Sequence, residues 1–217
     1  MPNWCNNTVE INHTDPAKMY ELVGAINEGK FCDFAKPVPK ELHIVAGRVG
    51  AADNPEQIAL EAAEKANLEK YGYSTWYDYC VNEWGTKWDV EPYEAVEYDD
   101  AHDGKTGVTF GFDSAWAPPC GVYEALMEQG YTVRAYYYES GMGFCGIYDE
   151  NGDDYYDITA MTSEQIRESI PTALDDCMGI SETVAEYEEE ENIDIDLDGG
   201  LSAVNEQEQN EDQPAEE

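Results

Sequence analysis

Three tryptophans and one lysine are the residues of this chain best suited to hold a ligand. Trp84, Lys87 and Trp88 fall within the run Trp-Gly-Thr-Lys-Trp-Asp (84–89), and Trp116 stands just before Pro118-Pro119. Indole faces beside Gly-Thr and Pro-Pro turns can stack a base or clamp a peptide. Tyr136 is a fourth aromatic that a small-ligand or nucleotide pocket would use. The plainer alternative is packing, with these rings wedging a helical insertion against a sheet.

Other chemistry finds little support. The chain has no Gly-x-Ser-x-Gly elbow, no phosphate-cradling glycine loop and no His-Glu-x-x-His pair. Cys32 or Cys120 could form a dyad with His13, His43 or His102, but six scattered cysteines always allow such pairings. The cysteines lack the short paired spacing of a zinc ribbon or a disulfide scaffold and read as reduced, mostly buried thiols. Gly141-Met142-Gly143 reads as a turn or bulge, because no helix follows it. Asp194-Ile195-Asp196-Leu197-Asp198-Gly199 copies the first half of a calcium loop, but position twelve falls on Asn205 and no apolar exiting helix follows. The expectation is a protein without catalytic activity, cofactor or metal.

Charge is the dominant bulk property: 48 acidic against 11 basic residues, a formal net charge of −37 over 217 residues. The stretch from Ser181 to Glu217 holds 15 acids and no Lys or Arg, which leaves 33 acids and 11 bases, or −22, on residues 1–180. Self-repulsion of that size opposes compaction, so a use for it is expected. Asp89, Glu91, Glu94, Glu97, Asp99, Asp100 and Asp103 load one predicted hairpin, and Asp149, Glu150, Asp153, Asp154 and Asp157 load another. Carboxylates spaced along strands can imitate duplex DNA, which carries one negative charge per ~1.7 Å of axis. Direct nucleic-acid binding is disfavoured without a basic patch. The expected partner is a basic, nucleic-acid-handling host protein such as a nuclease, restriction or CRISPR-type complex; self-association as a homodimer is also open. The competing account is a solvated surface that only maintains solubility, and a further one is an acidic assembly or chaperone-like factor.

The elements that must position these residues follow from periodicity. Thr8 to Ile11 alternates as a first strand. Asp15-Pro16 caps a helix with Met19, Leu22, Val23 and Ile26 on one face, stopped at Gly29. Residues 31–42 read as an irregular connector. Asn54-Pro55-Glu56 opens a second helix, and residues 71–84 hold a short third one. A strand is predicted from Gly85 toward Tyr98, a turn at Asp103-Gly104, and a return strand over 107–112. A helix over 121–129, a strand over 131–138 and a hairpin around Asn151-Gly152 follow. Thr162-Ser163 caps a last helix that ends near Pro171. The predicted architecture is α+β: a ferredoxin-like split β-α-β antiparallel sheet in a domain over 1–180, with a helical insertion at about 40–85 and an acidic disordered tail over 181–217. No apolar run approaches the ~20 residues of a membrane span, and Met1-Pro2-Asn3-Trp4 begins no secretory signal, so a cytoplasmic location and no membrane partner are expected.

Three segments resemble a known family. They are Met1-Pro2-Asn3-Trp4-Cys5-Asn6-Asn7, then Asn82-Glu83-Trp84-Gly85-Thr86-Lys87-Trp88-Asp89, then Phe112-Asp113-Ser114-Ala115-Trp116-Ala117-Pro118-Pro119. Together they are similar to the YubB-type family of phage and plasmid proteins with a ferredoxin-like domain, although Glu83, Ser114 and Ala117 depart from its usual pattern. The resemblance covers about Met1 to Gly152. It implies the ferredoxin-like fold and an accessory protein of a mobile element, acting in the cytoplasm of an infected or plasmid-bearing bacterial host. It supplies no catalytic residues. Combined with the acidic charge, it points to an anti-defence inhibitor acting as a DNA mimic.

Overall fold

The computed structural model describes residues 3–98 and 107–190. The chain divides into two compact units, one ending at Thr159 and one beginning at Ala160.

The first unit is built on strand β1 (Trp4–Asn12), where Cys5, Asn7, Val9 and Ile11 are buried and the alternate residues are not. That period of two marks a strand with one face on the core. Helix α1 (Pro16–Asn27) covers this face with Met19, Leu22, Val23 and Ile26. Asp15 caps it by accepting from Ala17 N at 3.0 Å, Pro16 fills the first turn, and Gly29 leaves it at φ +66°. Gly29 is a position that demands glycine.

Residues 31–42 are more ordered than predicted. Phe31–Ala35 forms a short helix, α2, and Lys40–Leu42 a 3₁₀ turn. The Cys32 and Asp33 N–H groups that start α2 are capped by Asp89, 56 residues or more away, which no local pattern announces. Helix α3 (Pro55–Tyr71) begins on Asn54 and ends at Gly72 in the left-handed conformation. Helix α4 (Trp76–Tyr79) runs into a π-helical turn, Cys80–Trp84.

Strand β2 (Gly107–Ala115), helix α5 (Cys120–Glu128), and strands β3 (Thr132–Glu139), β4 (Phe144–Asp149) and β5 (Gly152–Asp157) complete this unit. The five strands form an antiparallel sheet in the order β2-β1-β3-β4-β5. In register, Val9 lies between Phe110 and Ala135, and Ile11 between Val108 and Val133, so the three central strands share one apolar face. Asn151-Gly152 forms the tight turn of the last hairpin, with Gly152 at φ +106°.

The strand predicted from Gly85 toward Tyr98 is not formed. It is reduced to a single bridge between Pro92 and Phe112, with Tyr93 N donating to Gly111 O at 2.9 Å. Pro92 has no N–H to give a ladder. The segment is fixed instead by buried Val90 and Val96, and Asn27 grips Val96 through both its N–H and its carbonyl. The predicted turn at Asp103-Gly104 lies outside the described residues.

The second unit holds helices α6 (Ser163–Ser169) and α7 (Thr172–Met178) and a further helix over 180–190. Thr162 and Gln165 make a reciprocal capping box at the start of α6. The helix over 180–190 takes in the first ten residues of the segment read as a tail. Ser181 is buried and bonded to Asp175, and Glu188 accepts from Ser163 N and Oγ. The remainder of that segment, including Asp194-Gly199, lies outside the described residues.

Candidate functional site

The three motif segments meet at one corner of the sheet. Asn7, buried at the start of β1, donates to Cys5 O and to Ser114 Oγ, both at 2.8 Å, and accepts from Tyr123 OH at 3.3 Å. The Ser114 hydroxyl in turn donates to Ala117 O at 2.8 Å. The next residue, Ala115, is held by Thr86, and Trp116 N donates to Asn3 O at 2.9 Å. Between these restraints Trp116 takes φ 71°, a left-handed conformation that costs a non-glycine residue roughly 1–2 kcal/mol.

The turn over 84–88 is pressed against the start of α5. Gly85 sits at φ +89°, where an added Cβ would lie 3.0 Å from Pro118 O, and a Cβ on Gly121 would lie 2.0 Å from Glu83 O. Two glycines therefore let two backbones touch, and that contact brings Lys87 and Trp88 beside Trp116. The Lys87 ammonium stands 4.3 Å from the Trp88 ring centroid and 5.5 Å from those of Tyr77 and Trp116. Trp4 packs on Trp88 at 6.2 Å, and Tyr77 meets Trp116 edge-on at 6.5 Å. Tyr77, Trp88 and Trp116 open on a cleft of about 640 Å³ whose walls also carry Trp76, Ser74, Glu64 and Asp78.

Of the predicted aromatic set, Lys87, Trp88 and Trp116 converge. Trp84 does not join them: it is 4% exposed and donates its indole N–H to Lys36 O at 2.7 Å, so it serves the core. Tyr136 is also absent from the cleft, lying on β3 opposite Thr8 with Arg134 5.5 Å from its ring. Tyr77 of α4 also faces Lys87, a contact that no residue pattern marks.

The acidic residues do not form one group. Asp89 leaves the set altogether. Its two oxygens accept from Cys32 N at 2.8 Å and Asp33 N at 2.9 Å, and burial pushes its pKa up despite those bonds. Glu91, Glu94 and Glu97 are exposed around the Pro92 bridge, on the outer side of β2. Asp149, Glu150, Asp153, Asp154 and Asp157 lie on the β4–β5 hairpin at the opposite edge. Within β5, Asp153 and Asp157 project to one face and Asp154 to the other. Some have local partners: Asp149 accepts from Asn151 N, Asp153 from Tyr137 OH, and Asp157 from Thr159 N. Asp99, Asp100 and Asp103 lie outside the described residues.

Cys32, Cys80 and Cys120 are poor nucleophiles. Cys32 is wholly buried, and burial pushes its pKa well up; burial also raises Cys80 and Cys120 to about 12. Among the described residues no group of three or more His, Cys, Asp or Glu is arranged to hold a metal ion, and no helix is long and apolar enough to cross a membrane.

No family model and no curated protein matches this chain. Among solved structures, the crystal structure of a protein api92 from Yersinia pseudotuberculosis, described with the family model DUF1281, is similar at 14% identity. The match covers 74% of this chain and 99% of that one, with a TM-score of 0.38, too low to bear on function.

Proposed function

We propose that this is a non-enzymatic accessory protein of a phage or plasmid that binds a basic, nucleic-acid-handling host protein, its carboxylates standing in for phosphates. The observation that carries this reading is unneutralised charge. Residues 1–180 hold 33 acids and 11 bases. Among the described residues only Lys30–Glu28, Lys36–Glu83 and Lys70–Glu41 form ion pairs. Two groups of these acids lie at opposite edges of the sheet, Glu91, Glu94 and Glu97 on the segment bridged to β2 and Asp149, Glu150, Asp153, Asp154 and Asp157 on the β4–β5 hairpin, roughly 24 Å apart by a strand spacing of ~4.8 Å over the five steps from that segment to β5. Two separated anionic rails are what a duplex offers a cationic channel. The strand order, with the Pro92 bridge where one more strand would pair beyond β2, supports reading the sheet as a ferredoxin-like frame extended by the β4–β5 hairpin.

The test is capture from bacterial lysate on the immobilised full chain across a salt series, with duplex DNA as competitor. Basic DNA-binding proteins released by both salt and duplex DNA support the proposal. Capture that ignores both, or no basic protein at any salt concentration, overturns it.

A further inference from the structure

Lys87 is the basic residue at the centre of the cleft. Like most basic residues of the chain, it forms no ion pair among the described residues. Its ammonium faces three rings instead, all within the ~6 Å over which a ring quadrupole attracts a cation. The indoles of Trp88 and Trp116 remain about 40% and 39% exposed, so this cage opens to solvent and is not part of the core. Its shape is set by the framework. Trp116 is held left-handed by bonds to its neighbours, and Lys87 and Trp88 by the Gly85 and Gly121 contacts. The remaining charged groups on the walls, Glu64 and Asp78, are both acidic.

Aromatic faces joined by carboxylates, on a strongly anionic protein, form a site for a cation. We infer that the cleft accepts an arginine or lysine side chain of a basic polypeptide, and that Lys87 is an internal surrogate that the incoming group displaces. A nucleotide is disfavoured, since its phosphate would meet Glu64 and Asp78. That the polypeptide belongs to a host protein rests on the function proposed above; the preference for a cation rests on the cleft alone.

Tryptophan emission of the full chain, titrated with arginine methyl ester and separately with AMP at low salt, tests this. The ester should perturb the wild-type emission and AMP should not. Lys87→Gln, which removes both the surrogate and its repulsion, should tighten ester binding by roughly tenfold, the scale of one cation–π contact. Trp116→Leu should abolish the response while leaving the circular dichroism spectrum intact. Lys87→Met, which keeps the aliphatic stem, repeats the comparison if the glutamine variant folds poorly. A response to AMP that Lys87→Gln abolishes would reverse the sign of the site and overturn the inference. Silence toward the ester in wild type and both Lys87 variants also overturns it. Host-protein capture that survives Trp116→Leu while the ester gives no signal sinks the cleft alone. A clean ester response without any captured basic protein sinks the proposed function alone.

Discussion

The Thr86 hydroxyl and the backbone of Ala115 bond in both directions: Oγ1 accepts from Ala115 N at 3.0 Å and donates to Ala115 O at 3.1 Å. Thr86 is 1% exposed, so neither peptide group has water as an alternative. One side chain thus completes the end of β2 as a neighbouring strand would, one residue before the left-handed turn at Trp116.

Replacing Thr86 by valine keeps the shape and strands both groups. A buried donor and acceptor left unpaired cost about 1–3 kcal/mol. Thr86→Val should lower unfolding stability by that amount in a denaturant titration and shift tryptophan emission, whereas Thr86→Ser should retain most of both. A valine variant as stable as wild type would show that the bond contributes nothing.

Two glycine-to-alanine changes should have opposite signs. In Gly121→Ala the new methyl meets the Glu83 carbonyl at 2.0 Å, and backbone cannot give way as a flexible side chain does. A loss of about 3 kcal/mol or more is expected, at the upper end of overpacking. Gly24 is exposed in α1 with nothing within 4 Å of an added Cβ, so Gly24→Ala should gain about 0.5–1 kcal/mol through helix propensity. Melting temperatures of the two variants, measured side by side, decide both.

The sequence reveals these elements unevenly, for physical reasons. Helices α1 and α3 are visible because Asp15-Pro16 and Asn54-Pro55 are local capping signals and their stops are glycines. Strand β1 shows as clean alternation. The strand expected near Pro92 does not form, because Pro92 has no N–H for a ladder and Asn27 takes both backbone groups of Val96, a long-range contact that no local pattern marks. Lys87, Trp88 and Trp116 could be picked out by residue type beside turns. Sorting Trp84 from them requires knowing that its indole N–H reaches Lys36 O, 48 positions away, and adding Tyr77 requires the path by which the chain returns Lys87 to α4. Asp89 looked like its acidic neighbours because a carboxylate that caps a distant helix has the same letter as one that faces water.

That difference can be measured. Asp89→Asn places an amide donor against one of the two N–H groups starting α2, and the loss of a cap of this kind costs about 1–2 kcal/mol. Glu94→Gln and Asp154→Asn alter exposed carboxylates and should change stability by less than about 0.5 kcal/mol. For partner capture the ranking inverts: the combined Glu94→Gln and Asp154→Asn variant should elute at lower salt, and Asp89→Asn, where folded, should elute with wild type. Equal elution of all three would remove the carboxylates from the interface.

Glu83 links the π-helical turn to the core and sets a pH dependence of its own. It pairs with Lys36 and accepts from Tyr73 OH at 2.5 Å, and these partners, Lys36 first, hold its carboxyl below the ordinary 4.5. A depressed carboxyl contributes stability that is complete above its unfolded value and is lost as pH falls through the folded one. Protonating the many unpaired carboxylates meanwhile relieves repulsion, so the wild-type curve alone mixes two opposing trends. The difference between wild type and Glu83→Gln isolates the pair. It should be about 0.5–1 kcal/mol at pH 7, a modest figure because both side chains retain some solvent access, and it should shrink toward zero as pH drops below about 4. A difference that persists unchanged at pH 3 would show that packing of the side chain, and not its charge, holds the turn.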